Sequence, residues 1–247
     1  MAKGFASKIV APPPKGEGLL TKWSYSTYSS YEQCPKKVWF KQIEKEPEKG
    51  DRLALDRGIA VHKICEDILR GDTSARVYDP TPGKPTKLPT WAVELDTLKA
   101  EDALPEEPIS LRQDWTPTEW FANDAWLRGK VDAIAGNRII DFKTGRAYPD
   151  HVYQADIYAT MAFCVGAGNP LAPSAIQVEF WYFDVAADEP EAKKSWTFYR
   201  DDNAQRIKAW EHKVTPMLND TIFPTKPGRH CAWCGFAKSK GGPCDAG

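Results

Sequence analysis

The segment Arg128-Gly-Lys-Val-Asp-Ala-Ile-Ala-Gly-Asn-Arg-Ile-Ile-Asp-Phe-Lys-Thr-Gly-Arg146 decides how this chain folds. Gly136-Asn137 separates two β-rich runs, residues 129–135 and 138–143, and a two-residue loop that opens on glycine predicts a tight hairpin. With Ala135 opposite Arg138, the register sets Asp132 across from Asp141. Side chains two apart on a strand share a face, so Lys143 joins the aspartates while Ile140 and Phe142 point the other way. The two carboxylates would stand on the order of 5 Å apart at Cβ, where like charges repel unless a cation lies between them.

Two readings of that face stand side by side. In one, a divalent cation sits between the carboxylates with the Lys143 ammonium nearby; carboxylate oxygens are what Mg2+ and Mn2+ prefer, and Mg2+ keeps positions for water and a phosphate. In the other, the hairpin is on the surface and water solvates the aspartates. Ile139, Ile140 and Phe142 around Asp141 favour a strand inside a sheet, where an unpartnered aspartate would be costly.

Outward from the hairpin, periodicity predicts helices around one sheet. Ser24 or Ser26 caps a helix over 25–33, which Cys34-Pro35 interrupts before 36–42 resumes. Residues 58–71 form an amphipathic helix ended by Gly71. Residues 72–90 read as a loop, and 91–117 as a short acidic helix with connections. Strands follow at 119–122, 126–135 and 138–143, then a helix over 150–165, strands at 175–185 and 194–199, and a last helix over 201–218 capped by Asp201 or Asp202. This order gives an α/β core without a long parallel doubly wound array. Residues 1–20, with Pro12-Pro-Pro14, read as a mobile arm and 21–247 as a single domain.

A length of 247 residues and a net charge of −1 fit an ordinary globular protein, and composition alone gives no electrostatic reason to expect nucleic acid. The charge is uneven. Acids gather over 92–124, and lysines at Lys36, Lys37, Lys41 and Lys45 and again at Lys238 and Lys240; such runs are usually solvated faces and less often phosphate lanes. No signal-peptide core or membrane-length apolar run is present, which predicts a cytoplasmic protein with no membrane partner and few structural disulfides.

Of the six cysteines, Cys65 and Cys164 fall on apolar helix positions and read as core residues. Cys231-Ala-Trp-Cys234, then Cys244, lie near the C-terminus after Phe223-Pro224, and Cys34 precedes Pro35 near the N-terminus. A C-x2-C pair flanked by Gly and Pro signals thiolate coordination of zinc or an iron-sulfur cluster. Four such bonds would clasp the two terminal segments and bring Lys36, Lys37, Lys238 and Lys240 together as a DNA-binding lane.

Elsewhere, His62 and Glu66 are one turn apart on a helix, as are Gln154 and Tyr158. His62 within Gly58-x3-His62, Asp132 within Gly129-Lys-Val-Asp132, Asp141-Phe-Lys143-Thr-Gly and Gln154-x3-Tyr158 occur in the order and approximate spacing of the PD-(D/E)xK nuclease superfamily. The chain resembles its RecB-type iron-sulfur branch, similar to CRISPR-adaptation nucleases and AddB-type nuclease domains, from about Ser24 to Cys244. The carboxylate before the lysine is Asp141, which the pattern allows, and no proline precedes Asp132.

The resemblance implies a restriction-endonuclease-like core with a central mixed sheet. It implies Mg2+ or Mn2+ on His62, Asp132, Asp141 and the Phe142 carbonyl, with Lys143 orienting the attacking water and Gln154 and Tyr158 steadying the lysine and contacting the strand. Because two aspartates stabilise an ammonium, an orienting role suits Lys143 better than that of a base. Cys34, Cys231, Cys234 and Cys244 match the split of one cysteine before and three after the nuclease motifs that carries a [4Fe-4S] cluster in that branch. The nine residues between Cys234 and Cys244 are more than that pattern leads one to expect, so Zn2+ stays open. The implied activity is a metal-dependent DNA exonuclease acting on single-stranded or end-bearing DNA in recombination, repair or replication, with a separate helicase or recombination partner possible. The alternatives are a structure-selective endonuclease of the CRISPR-adaptation type and a non-cleaving DNA-binding assembly subunit. The complete Asp132, Asp141 and Lys143 set favours an enzyme.

Overall fold

A computed structural model describes residues 18–50, 52–72, 86–169 and 172–246. The hairpin forms as its sequence dictates. Strands β2 (Leu127–Ala135) and β3 (Arg138–Lys143) pair with Ala135 opposite Arg138, and Gly136 takes the positive φ of 59° that the first position of such a loop requires. Three further strands, β1 (Leu104–Leu111), β4 (Ala175–Tyr182) and β5 (Lys193–Tyr199), complete a five-stranded sheet in chain order. Only β3 and β4 are parallel; the helix α5 (His151–Val165) connects them, as a parallel pair requires.

Helices cover both faces. On one side α1 (Tyr25–Gln33), α5 and α6 (Asn203–Asn219) bury Trp23, Ile157, Met161, Trp210 and Val214 against Val131, Ile139, Val178 and Phe180. On the other, α3 (Leu53–Leu69) and α4 (Ala92–Ala100) bury Val61, Cys65, Leu95 and Leu98 with Trp91 against Ile140, Phe142, Trp181 and Phe183. Full burial of each such side chain contributes about 1.5–3 kcal/mol. Between α1 and α3, a short helix α2 (Pro35–Val38) continues into a π-helical turn, Trp39–Glu44.

The sheet forks at the hairpin's open end. The β2–β3 ladder runs only from Ala135↔Arg138 to Ala133↔Ile140, whereas β2 continues beside β1 as far as Leu127 and β3 beside β4 as far as Lys143. Asp132 and Asp141 occupy the crotch. The faces of β2 also switch there: Leu127 and Val131 pack on the α5 side, yet Ala133 and Ala135, of the same parity, pack on the α3 side. Both helical layers therefore gain access to the aspartates.

Several expectations need correction. Strand β1 lies where only a helix and connections were expected. The strand expected over 119–122 is a turn; its approach yields one isolated bridge, Leu111↔Pro117, because β1 already takes the open side of β2. The helix expected from Gly58 starts at Leu53, the strand from Ala175 ends at Tyr182, and α6 has Asp202 at its N-cap without a side-chain cap bond. The arm cannot extend to residue 20. Leu20 is buried in the core, and a Cβ on Gly18 would fall 2.0 Å from the Leu218 carbonyl oxygen. The rest of that arm, residues 1–17, and most of the expected loop, residues 73–85, lie outside the described residues.

Candidate active site

Asp141 is the most deeply buried carboxylate at the fork, 3 % exposed. Lys143 Nζ lies 2.5 Å from its Oδ2, yet no aligned hydrogen bond reaches that oxygen. Gln154 Nε2 donates to Asp141 Oδ1 at 3.2 Å and also to the Tyr158 hydroxyl at 2.8 Å, while Gln154 Oε1 accepts from Lys143 Nζ at 2.9 Å. Tyr158 donates to the Lys130 carbonyl at 3.2 Å, tying α5 to β2. The i, i+4 spacing on α5 thus links lysine, amide and phenol in one chain. The Lys143 ammonium also sits 4.7 Å from the centre of the Phe180 ring.

From the opposite layer, His62 on α3 places Nδ1 3.1 Å from Asp132 Oδ1. Asp132 Oδ2 accepts from the backbone N–H of Phe142 at 2.6 Å, so the side chain occupies the gap where the ladder ends. In an extended residue the N–H and C=O point the same way, so the Phe142 carbonyl also faces β2 at the fork. Burial raises the Asp141 pKa, with Lys143 opposing and Asp132 adding to the rise. For His62, burial works against the protonated ring, but Asp132 and Asp141 outweigh it and the pKa is raised.

Glu106 was not foreseen from the sequence. It stands opposite Asp132 between the β1–β2 pairs Pro105↔Ala133 and Glu107↔Val131, with φ at +60°. A non-glycine residue inside a strand rarely adopts that region, at a cost of order 1–3 kcal/mol. Among the described residues, His62, Glu106 and Asp132 form the one group of three or more potential ligands whose donor atoms all lie within 4.8 Å of one another. Glu106 also pairs with Lys130. Glu66 lines the same cleft as His62, as their spacing predicts, and pairs with Arg70 at 2.8 Å. Imidazole and carboxylate oxygens suit a divalent ion.

Two clefts meet these residues. One, of about 840 Å³, includes Lys143, Gln154 and Tyr158; the other, of about 510 Å³, includes His62, Glu106 and Asp132. Neither is lined by Lys36, Lys37, Lys238 or Lys240. The Lys36 ammonium lies over the Trp39 and Phe40 rings, and Lys238 pairs with Asp245.

The segments around Cys34 and around Cys231 to Cys244 contact each other. Lys226 Nζ donates to the Glu32 carbonyl, the Lys36 N–H to the Pro224 carbonyl and the Lys49 N–H to the Gly235 carbonyl, while Phe40 stacks on Phe236. Cys34, Cys231, Cys234 and Cys244 on these segments are free, half-buried thiols, whereas Cys65 and Cys164 are buried in the core. No three of these sulfurs lie within 4.8 Å of one another. No helix among the described residues is long and apolar enough to cross a membrane.

The sequence model of the PD-(D/E)XK nuclease superfamily matches residues 22–239. No curated protein matches the chain. Among solved structures, SSO0001 is 17 % identical over 92 % of this chain and 87 % of its own, with a TM-score of 0.43. A protein of Eubacterium rectale named a "putative exonuclease" is 11 % identical over 83 % of this chain and 84 % of its own, with a TM-score of 0.45.

Proposed function

This chain belongs to the PD-(D/E)XK nuclease superfamily, and on that premise we propose that it is a Mg2+- or Mn2+-dependent deoxyribonuclease acting as an exonuclease on single-stranded or end-bearing DNA. The observation that carries the reading is the fork itself: a buried Asp141 braced by Lys143 and Gln154, with Asp132 and His62 entering from the other layer. His62, Asp132, Asp141 and the Phe142 carbonyl would hold the ion, and Glu106 joins them on the strength of its donor distance. A bound divalent ion lowers the pKa of its water and offsets charge on the reacting phosphate.

The chain's own groups do the rest. Lys143, fixed by Gln154 Oε1, presents an ammonium that orients a water and neutralises charge on a non-bridging oxygen. Tyr158 acts through Gln154, limiting the rotamers of both and so the position of Lys143. The test of exonuclease action compares end-labelled linear single-stranded DNA with the same sequence closed into a circle, in Mg2+ or Mn2+. Loss of the linear strand with survival of the circle is expected; degradation of the circle would make the protein an endonuclease.

Cys34, Cys231, Cys234 and Cys244 are proposed to hold a [4Fe-4S] cluster that closes the terminal segments over each other. Four free thiols on two mutually bonded segments support this. An absorption band at about 400 nm that bleaches on reduction is expected; a colourless protein carrying stoichiometric zinc would refute it.

A further inference from the structure

The larger cleft runs beyond the fork, between the start of α1 and the start of β2, and its lining differs from the rest of the surface. Its charged residues are Lys22, Arg128, Lys130 and Lys143 against one carboxylate, Asp150, in a chain whose net charge is −1. Lys130 and Lys143 are engaged by Glu106 and Asp141, but Lys22 and Arg128 have no carboxylate partner among the described residues. Arg128 is half-buried, its Nε has no hydrogen-bond partner, and its guanidinium lies 5.5 Å from the centre of the Trp120 ring.

The opposite wall is built of hydroxyls. Ser24, Ser26 and Thr27 line it at the first turn of α1, with Ser24 Oγ 3.0 Å from Ser26 Oγ and 3.1 Å from Thr27 Oγ1. The wall is fixed to the strand that carries Asp132, because the Trp23 N–H donates to the Trp126 carbonyl and the Arg128 N–H to the Trp23 carbonyl. Cations, hydroxyls and a flat indole lining one cleft are the components of a groove that tracks a phosphate backbone and stacks a base. A volume of about 840 Å³ suits a few nucleotides of one strand.

We propose that this cleft is the track for the DNA single strand being cut, with its phosphates on Lys22, Arg128 and the α1 hydroxyls and one base stacked on Trp120, which Arg128 backs. The inference rests on the deoxyribonuclease reading and adds the subsite that selects a single strand. Arg128 acts on both parts at once, since a guanidinium placed over an indole still offers its edge to a phosphate.

Fluorescence anisotropy with a labelled oligothymidylate of twelve residues, in EDTA so that nothing is cut, tests it. Trp120→Ala is expected to weaken binding roughly 5- to 150-fold and Trp120→Phe to keep it within about threefold of wild type. Lys22→Ala and Arg128→Ala are each expected to lower affinity and to reduce the slope of log affinity against log salt by about 0.7. The labelled strand is expected to outcompete a duplex of the same length. Wild-type affinity in Trp120→Ala, equal losses in Trp120→Ala and Trp120→Phe, or a preference for duplex would each overturn the proposal. Metal-dependent cleavage by the wild-type protein is scored separately, so the track can fail while the nuclease reading stands.

Discussion

Glu106 shows what a single residue can disclose at this site. Its backbone at φ +60° is strained for any side chain but glycine, and the strain falls opposite Asp132, within the 4.8 Å group that includes His62. Glu106→Gln is expected to weaken Mn2+ binding about 10- to 100-fold by isothermal titration. Glu106→Gly, which relieves the φ while removing the carboxylate, is expected to lose the same affinity with no fall in melting temperature. Unchanged Mn2+ affinity in both variants would remove Glu106 from the ligand set. The residue escaped sequence reading because Pro105 and Pro108 flank it and break the alternation that marks a strand. Asp132, Asp141 and Lys143 were placed on one face by the hairpin's register, whereas His62, Gln154 and Tyr158 were singled out by the resemblance, since their helical spacing alone says little.

The same contrast holds for elements. The hairpin, α1, α5 and β5 were readable from period, caps and turn residues. What could not be read was tertiary: β1 is a proline-bearing edge strand that exists because β2 offers it a partner, and residues 119–122 form no strand because that partner is taken. The fork likewise depends on which strand pairs with which, and no local pattern encodes it. At the start of α5, His151 shares a 2.8 Å hydrogen bond with the Tyr182 hydroxyl and stacks on its ring. Burial first, then Lys143, pushes the His151 pKa down from 6.5 to about 4. A depressed value means the fold favours the neutral ring, so its stabilising contribution is whole above about pH 6.5 and is lost as pH falls through about 4. Melting temperature followed from pH 7 to pH 4 is therefore expected to fall less steeply in His151→Gln than in wild type; parallel curves would show that the fold does not shift the histidine's pKa.

Across the whole molecule, one sheet puts two helical layers within reach of one fork, and the segments that carry Cys34 and the three later cysteines contact each other. Cys234→Ala is expected to lose the absorption band at about 400 nm and to melt earlier, because the terminal segments keep only contacts such as Phe40 on Phe236; an unchanged spectrum and melt would leave those thiols without a structural role. The central claim is that the fork is a metal-dependent hydrolytic centre whose lysine acts on the reaction and not on ion binding. Its most direct measurement is single-turnover cleavage of end-labelled single-stranded DNA by wild type and Lys143→Ala, with Mn2+ affinity measured on the same samples. A rate loss of about 100-fold or more with Mn2+ affinity within about threefold of wild type is predicted. Cleavage by Lys143→Ala at the wild-type rate would contradict the account.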